Sequence, residues 1–134
     1  MRDKLFVDTN VLLYLLSDDE HKKSRAKDVL LTYPLISTQV INEFSNVCIR
    51  KFKLPADQLL KALNGIERFS SIASSTISTT RKAIHLQSRY KLQYYDCLII
   101  ATALENGCDF LYSEDMQHGL VIDKQLKVIN PFLA

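Results

Sequence analysis

The sequence has few cysteines, and none of them stands in a disulfide or metal-binding pattern. The three that it has, Cys48, Cys97 and Cys108, are odd in number, form no C-x-x-C pair and lie in apolar segments. The three histidines share no ligand spacing with one another or with the cysteines. This pattern favours reduced, buried thiols in a cytoplasmic protein over a disulfide framework or a zinc site.

Long apolar runs are also absent. The first apolar stretch after Lys4 is interrupted by Asp8 and Asn10. That leaves no signal-peptide core and no run of about 18 apolar residues that would span a membrane. We therefore expect a cytoplasmic protein with no membrane segment.

Neither sign of charge dominates the chain. Its 17 basic and 15 acidic residues give a net charge of +2, which is too balanced to indicate nucleic-acid binding from charge alone. Any surface that binds phosphate must therefore be a local cluster of basic residues and not a property of the whole chain. The length of 134 residues, with 47% hydrophobic residues and no internal repeat, predicts a single domain over residues 1–134.

Short apolar segments alternate with helical patterns along the chain. Such alternation predicts an α/β fold with a parallel sheet covered by helices on both faces. Strands are predicted at 4–8, 34–37, 70–75 and 110–112, with a last strand at either 120–122 or 127–129. Helices are predicted after an Asn10 cap, after a capping box over Ser17–Glu20, and over 38–52, 55–69, 78–90 and 95–106.

Four acidic residues lie where apolar surroundings should exclude them. Asp8 directly follows the predicted strand Leu5-Phe6-Val7, and the carboxyl end of a strand is where open α/β sheets bind ligands. Glu43, Asp96 and Asp115 each lie inside or just after a hydrophobic segment. Carboxylates gathered in one pocket must be protonated, paired or bound to a cation, and a hard divalent metal satisfies them most simply.

The helical positions of two acids direct them toward the sheet. Glu43 lies at the edge of an apolar helix face beside Val47, and Asp96 shares its direction with Ile100 on a helix that is apolar nearly all round. Tyr94 and Tyr95, next to Asp96, are candidates to stack on an unpaired base, although at least one is expected to be a core or interface aromatic.

Each acid also has an ordinary structural interpretation. Asp8 and Asp115 fit turn positions, Asp96 fits the first turn of a helix, where the dipole favours an acid, and Glu43 fits a helix boundary. These interpretations weaken when the acids are taken together, because the predicted topology brings all four to the same edge of the sheet.

Four motifs in order give the chain a family resemblance. It resembles the PIN-domain nucleases, particularly the VapC-like toxins of bacterial toxin-antitoxin pairs, over essentially its whole length. The motifs are Val7-Asp8-Thr9-Asn10, Val40-Ile41-Asn42-Glu43-Phe44, the run from Tyr95-Asp96 to Ala103, and Leu111-Tyr112-Ser113-Glu114-Asp115-Met116-Gln117.

The resemblance implies a three-layer α/β/α sandwich with a central, mostly parallel sheet, and a metal-dependent endoribonuclease active on RNA. It further implies one or two Mg²⁺ or Mn²⁺ ions, an antitoxin partner and a homodimer. By motif match, the catalytic and metal-binding residues are Asp8, Glu43, Asp96 and Asp115, with Asn10 and Ser113 as supporting polar groups. Glu114 departs from the pattern as a second acid, and we predict that Asp115 is the one that faces the metal.

Two other functions remain open at this point. One is a receiver-like signalling domain, in which a strand-end aspartate accepts phosphate with Mg²⁺. It is disfavoured because Glu43 and Asp96 lie on predicted helices and no paired acids precede the first strand. The other is a non-catalytic RNA-binding module that has kept the fold.

Overall fold

Six short strands form one sheet in the structure, a computed structural model that describes residues 4–133. They are β1 (Leu5–Val7), β2 (Leu35–Ser37), β3 (Ser71–Ala73), β4 (Phe110–Tyr112), β5 (Val121–Ile122) and β6 (Leu126–Ile129). The order across the sheet is β3-β2-β1-β4-β6-β5, and every neighbouring pair is parallel except β5 with β6. The predicted, mostly parallel sheet is confirmed.

Six α-helices in residues 4–133 surround this sheet and complete the predicted α/β/α sandwich. They are α1 (Thr9–Leu13), which continues into a 3-10 turn (Tyr14–Leu16), α2 (Glu20–Leu30), α3 (Thr38–Arg50), α4 (Ala56–Arg68), α5 (Ile77–Tyr90) and α6 (Tyr94–Glu105). Helix α5 packs on α6, and α3 packs on both α1 and α4. Within 4–133, every helix is too short or too polar to cross a membrane.

Burial explains why β1 and β2 have no alternating pattern. Phe6 and Val7 of β1 are fully buried, and every residue of β2 is buried, because helices cover both faces of a parallel sheet. Helix α6 is buried on nearly all sides, as its sequence predicts, and Thr102 fits there because its hydroxyl donates to the carbonyl of Leu98 at 2.9 Å. The buried residues of α6 are Cys97, Ile99, Ile100, Ala101, Thr102, Ala103 and Leu104.

Two predicted helix starts are wrong in detail. Asp8, not Asn10, caps α1, and its carboxylate accepts a hydrogen bond from the backbone N–H of Thr9 at 2.7 Å. Helix α2 is capped by Asp19, which accepts from the N–H of Lys22, so the capping box predicted from Ser17 does not form. Asp8 and Asp19 each stand directly before the first helical residue, whereas Asn10 lies inside the first turn of α1 and Ser17 lies three residues before α2.

Both candidates for the last strand are strands. They form an antiparallel hairpin, β5 with β6, and β6 extends the parallel sheet beside β4. The connection has two residues with positive φ, Asp123 at 52° and Lys124 at 57°, as a type I′ turn requires. Asp123 accepts hydrogen bonds from Arg89 and Tyr90 of α5, which holds the turn against that helix.

The strand order places a topological switch point between β1 and β4. The chain runs outward from β1 to β2 and β3, then returns to the other side of β1 as β4. Val7 and Tyr112 are paired in register, so Asp8 and Ser113 leave the sheet side by side. Ligands of open α/β sheets bind at such a point, outside the carboxyl ends of the strands.

The buried face of α6 should dominate the stability of the fold. Ile100 is fully buried, whereas Ile84 on α5 is 55% exposed. We expect Ile100→Ala to lower the free energy of unfolding by about 2 to 5 kcal/mol, since it leaves a cavity in the core. Ile84→Ala should change it by less than about 0.5 kcal/mol. Urea unfolding of both variants measures this, and equal losses would contradict the assigned core.

Candidate active site

Asp8 is a buried carboxylate at the end of β1, with only 5% of its surface exposed. One carboxylate oxygen accepts the Thr9 N–H, and the other accepts the Ser113 hydroxyl at 2.9 Å and the Asn10 amide at 3.1 Å. Burial raises the pKa of Asp8 to about 6, aided by the negative charges of Asp96 and Glu43 and opposed by these hydrogen bonds. Asp8 is thus held in place by neutral donors.

Asn10 joins the two sides of the switch point. Its amide nitrogen lies 3.1 Å from Asp8 Oδ2, 3.3 Å from Ser113 Oγ and 3.2 Å from Asp115 Oδ2. Its amide oxygen accepts the backbone N–H of Glu114 at 2.9 Å. A single side chain on α1 therefore fixes both Asp8 and the loop after β4.

Helices α3 and α6 bring the other two acids to the same edge. Glu43 accepts the hydroxyl of Thr9 at 2.8 Å and the amide of Gln39 at 3.4 Å. Asp96 is half-buried in the first turn of α6, and its pKa is raised by burial and by the negative charges of Asp115 and Glu43. The four acids that were predicted from separate motifs thus lie within electrostatic range of one another.

Glu114, the additional acid of the fourth motif, is directed away from this group. Its carboxylate accepts the hydroxyl of Tyr14 and forms an ion pair with Lys22 at 2.7 Å. Burial alone would raise the pKa of Glu114, but the hydrogen bonds from Lys22 and Tyr14 outweigh it and lower the pKa. Its neighbour Asp115 is exposed and bonded to Asn10. The two adjacent acids therefore occupy different surroundings.

Within residues 4–133, no basic side chain forms an ion pair with Asp8, Glu43, Asp96 or Asp115. Among residues 4–133, the ion pairs are Lys22 with Glu114 and Arg89 with Asp123. Across the same residues, no three His, Cys, Asp or Glu side chains are arranged closely enough to hold a metal ion together. The acids are close enough to influence one another's pKa, but they do not form a ready-made set of metal ligands. All of their donor atoms are oxygens, which Mg²⁺ and Mn²⁺ prefer.

Comparison with known proteins identifies the family. The model of the PIN domain matches residues 5–120. The chain belongs to the PIN domain family. The resemblance drawn from its four motifs is thereby confirmed. No curated protein matches it significantly.

Solved structures share the PIN fold. A toxin-antitoxin complex from Klebsiella pneumoniae superposes with a TM-score of 0.71 at 24% identity, over 96% of this chain and 98% of that one. VapC20 of Mycobacterium tuberculosis, a toxin that cleaves the sarcin-ricin loop, superposes with a TM-score of 0.68 at 16% identity. The match covers 84% of this chain and 90% of VapC20. VapBC2 of Rickettsia felis, bound to promoter DNA, superposes with a TM-score of 0.62 at 17% identity. That match covers 83% of this chain and 87% of the other.

Sequence reasoning missed two groups in this PIN domain that contact the acids. Gln39 and Thr9 both donate to Glu43, and Gln39 also donates to the backbone carbonyl of Tyr95 at 3.2 Å. The spacing of Gln39 and Glu43 by four residues on a helix is a signal that was available. The contact between Thr9 and Glu43, 34 residues apart, has no such local signal.

The raised pKa of Asp8 predicts that stability depends on pH. The folded protein binds this proton more tightly than the unfolded chain, so in EDTA the free energy of unfolding should fall as pH rises from about 4 to about 6. Asp8→Asn should remove this part of the slope and gain at most about 3 kcal/mol over wild type at pH 7. Asn caps a helix as well as Asp, so the variant should fold.

Urea unfolding from pH 4 to pH 7 measures the effect. Asp28→Asn, at an exposed position of α2, controls for the removal of a charge. Parallel curves for wild type and Asp8→Asn would contradict the pKa shift.

Proposed function

We propose that this PIN domain is a Mg²⁺-dependent endoribonuclease that hydrolyses RNA phosphodiester bonds, with Mn²⁺ as an alternative ion. The observation that carries the proposal is the convergence of four carboxylates, from four separate parts of the chain, on the switch point. Among residues 4–133 they have no basic partner. A phosphate would be repelled by such a group unless a cation lay between them.

Each acid is assigned a role in this proposal. Asp8 and Asp96 would be the principal ligands of the metal, and Glu43 and Asp115 would complete the site or hold water bound to the metal. When bound, a divalent cation would supply charge neutralisation and an activated water for hydrolysis. The chain's own contribution is orientation. Asn10 and Ser113 hold Asp8, and on the other side Thr9 and Gln39 hold Glu43 by both carboxylate oxygens.

We further propose that the chain is the toxin of a type II toxin-antitoxin pair. Support comes from the family and from the solved relatives, which include a toxin-antitoxin complex and VapBC2. An antitoxin would cover the acidic site, and the toxin would form a homodimer in the cytoplasm. The three cysteines are buried and unpaired, and burial raises the pKa of each thiol, which suits a reducing compartment.

The alternatives are less well supported. A receiver-like domain would place its acids at the strand ends, whereas Glu43 and Asp96 lie on α3 and α6 and the chain belongs to the PIN family. A non-catalytic RNA-binding module is the outcome if RNA is bound but not cleaved.

Asp8→Asn and Asp96→Asn should each reduce cleavage of labelled RNA by roughly 100-fold or more, the scale of lost electrostatic contacts to a transition state. In EDTA both variants should melt at or above the wild-type temperature, because each removes one repelling charge. Mg²⁺ should raise the melting temperature of wild type and do much less for the variants. If either variant unfolds in EDTA, its acid has a structural role instead.

Glu114 and Asp115 give a matched pair of neighbouring acids for a second test. Asp115→Asn should strongly reduce cleavage. Glu114→Gln should keep it within about fivefold, because a partly exposed ion pair contributes at most about 1 kcal/mol. Cleavage rates at saturating Mg²⁺ compare the two, and a loss confined to Glu114→Gln would reverse the assignment.

A further inference from the structure

A cleft lies beside the acidic group on the α3 side of the switch point. It has a volume of about 480 Å³, within the range of small-molecule pockets. Glu43 belongs to both the cleft and the acidic group, and Tyr95 of the cleft directly precedes Asp96 in the chain. The residues that line it are Thr38, Gln39, Asn42, Glu43, Ser75 and Tyr95.

Tyr95 presents an aromatic ring in this cleft. It is 57% exposed, although it stands in the first turn of the most deeply buried helix. Its neighbour Tyr94 is half-buried against the core and contacts it edge-on, with ring centroids 5.3 Å apart and planes at 72°. Tyr94 thereby supports the ring of Tyr95 at a defined angle and leaves much of its surface available.

The remaining lining groups are suited to an uncharged, planar, polar ligand. Two amides, Gln39 and Asn42, and two hydroxyls, Thr38 and Ser75, both donate and accept hydrogen bonds. Among the described residues that line the cleft, Glu43 alone is charged, and its carboxylate disfavours a phosphate in the cleft itself. A nucleobase has a π-face and a hydrogen-bonding edge but no charge, so it fits this lining better than the RNA backbone does.

Gln39 is held rigidly in the wall of the cleft. Its amide nitrogen donates to the carbonyl oxygen of Tyr95 at 3.2 Å and to Glu43 at 3.4 Å. Because both partners are acceptors, these contacts identify the nitrogen end of the side chain. Its carbonyl oxygen is buried, accepts no hydrogen bond from residues 4–133 and is out of reach of a ligand in the cleft. Gln39 therefore positions the wall, and the exposed Asn42 is the lining amide that a bound base can reach.

Building on the ribonuclease function proposed above, we propose that this cleft binds one unpaired nucleobase of the RNA substrate. The base stacks on Tyr95, and its edge faces the amide of Asn42. The phosphate next to that nucleotide then lies at the acidic group, because the two sites share Glu43. Stacking in the cleft requires a base that is out of a helix.

The test is steady-state cleavage, in Mg²⁺, of a fluorescein-labelled RNA hairpin with a randomised loop, compared with a fully paired duplex. Tyr95→Ala should raise KM by roughly 5- to 150-fold, the measured range for losing one base-aromatic stack, while kcat changes much less. Tyr95→Phe keeps the ring and should recover most of that loss. Tyr33→Ala is the matched control, since Tyr33 is 59% exposed just before β2, away from the cleft.

Three results would overturn the subsite while leaving the ribonuclease intact. They are an unchanged KM for Tyr95→Ala, an equal loss for Tyr33→Ala, and equal cleavage of the duplex and the hairpin loop. A wild-type protein that cleaves neither RNA would refute the proposed function and the subsite together. Melting temperatures verify that the variants fold.

Discussion

The placement of negative charge at the switch point is the constraint on which the rest of the site depends. Asp8 lies where β1 and β4 separate, and its pKa is raised to about 6 by burial and by the negative charges of Asp96 and Glu43. Ser113 and Asn10 bind its carboxylate without cancelling its charge. The free energy of unfolding is therefore lower near neutral pH, where Asp8 is ionised, than at acidic pH. Binding sites for cations commonly contain such perturbed acids.

Much of the fold was predictable because its helices and strands have strong local signals. The continuous apolar run of α6, stopped by Gly107 at a φ of 70°, marks a helix packed on nearly all sides. The hairpin of β5 and β6 was missed because its turn residues, Asp123 and Lys124, adopt positive φ without a glycine. Contacts with α5 stabilise that turn, and contacts between distant segments have no local sequence signal.

The candidate site was predictable to a different degree. The motifs single out the four acids, and the sheet topology brings them together, but their roles stay predictions. The separation of Glu114 from Asp115 depends on Lys22, which lies 92 residues from Glu114 in the chain. Residues 4–133 also lack the tight cluster of ligands that a shared metal centre implied. Sequence motifs give the identity of the acids, whereas their exact spacing depends on side-chain geometry that motifs do not encode.

The three consecutive residues Asp8, Thr9 and Asn10 each contact a remote part of the chain. Thr9 bonds to Glu43, 34 residues away, and Asn10 bonds to Asp115, 105 residues away. Such contacts can form only after the intervening chain has been made, and contacts between distant segments are slow to form. During translation the amino-terminal part is therefore synthesised long before its distant partners leave the ribosome. The acidic group is therefore complete only once the segment after β4 has packed against α1.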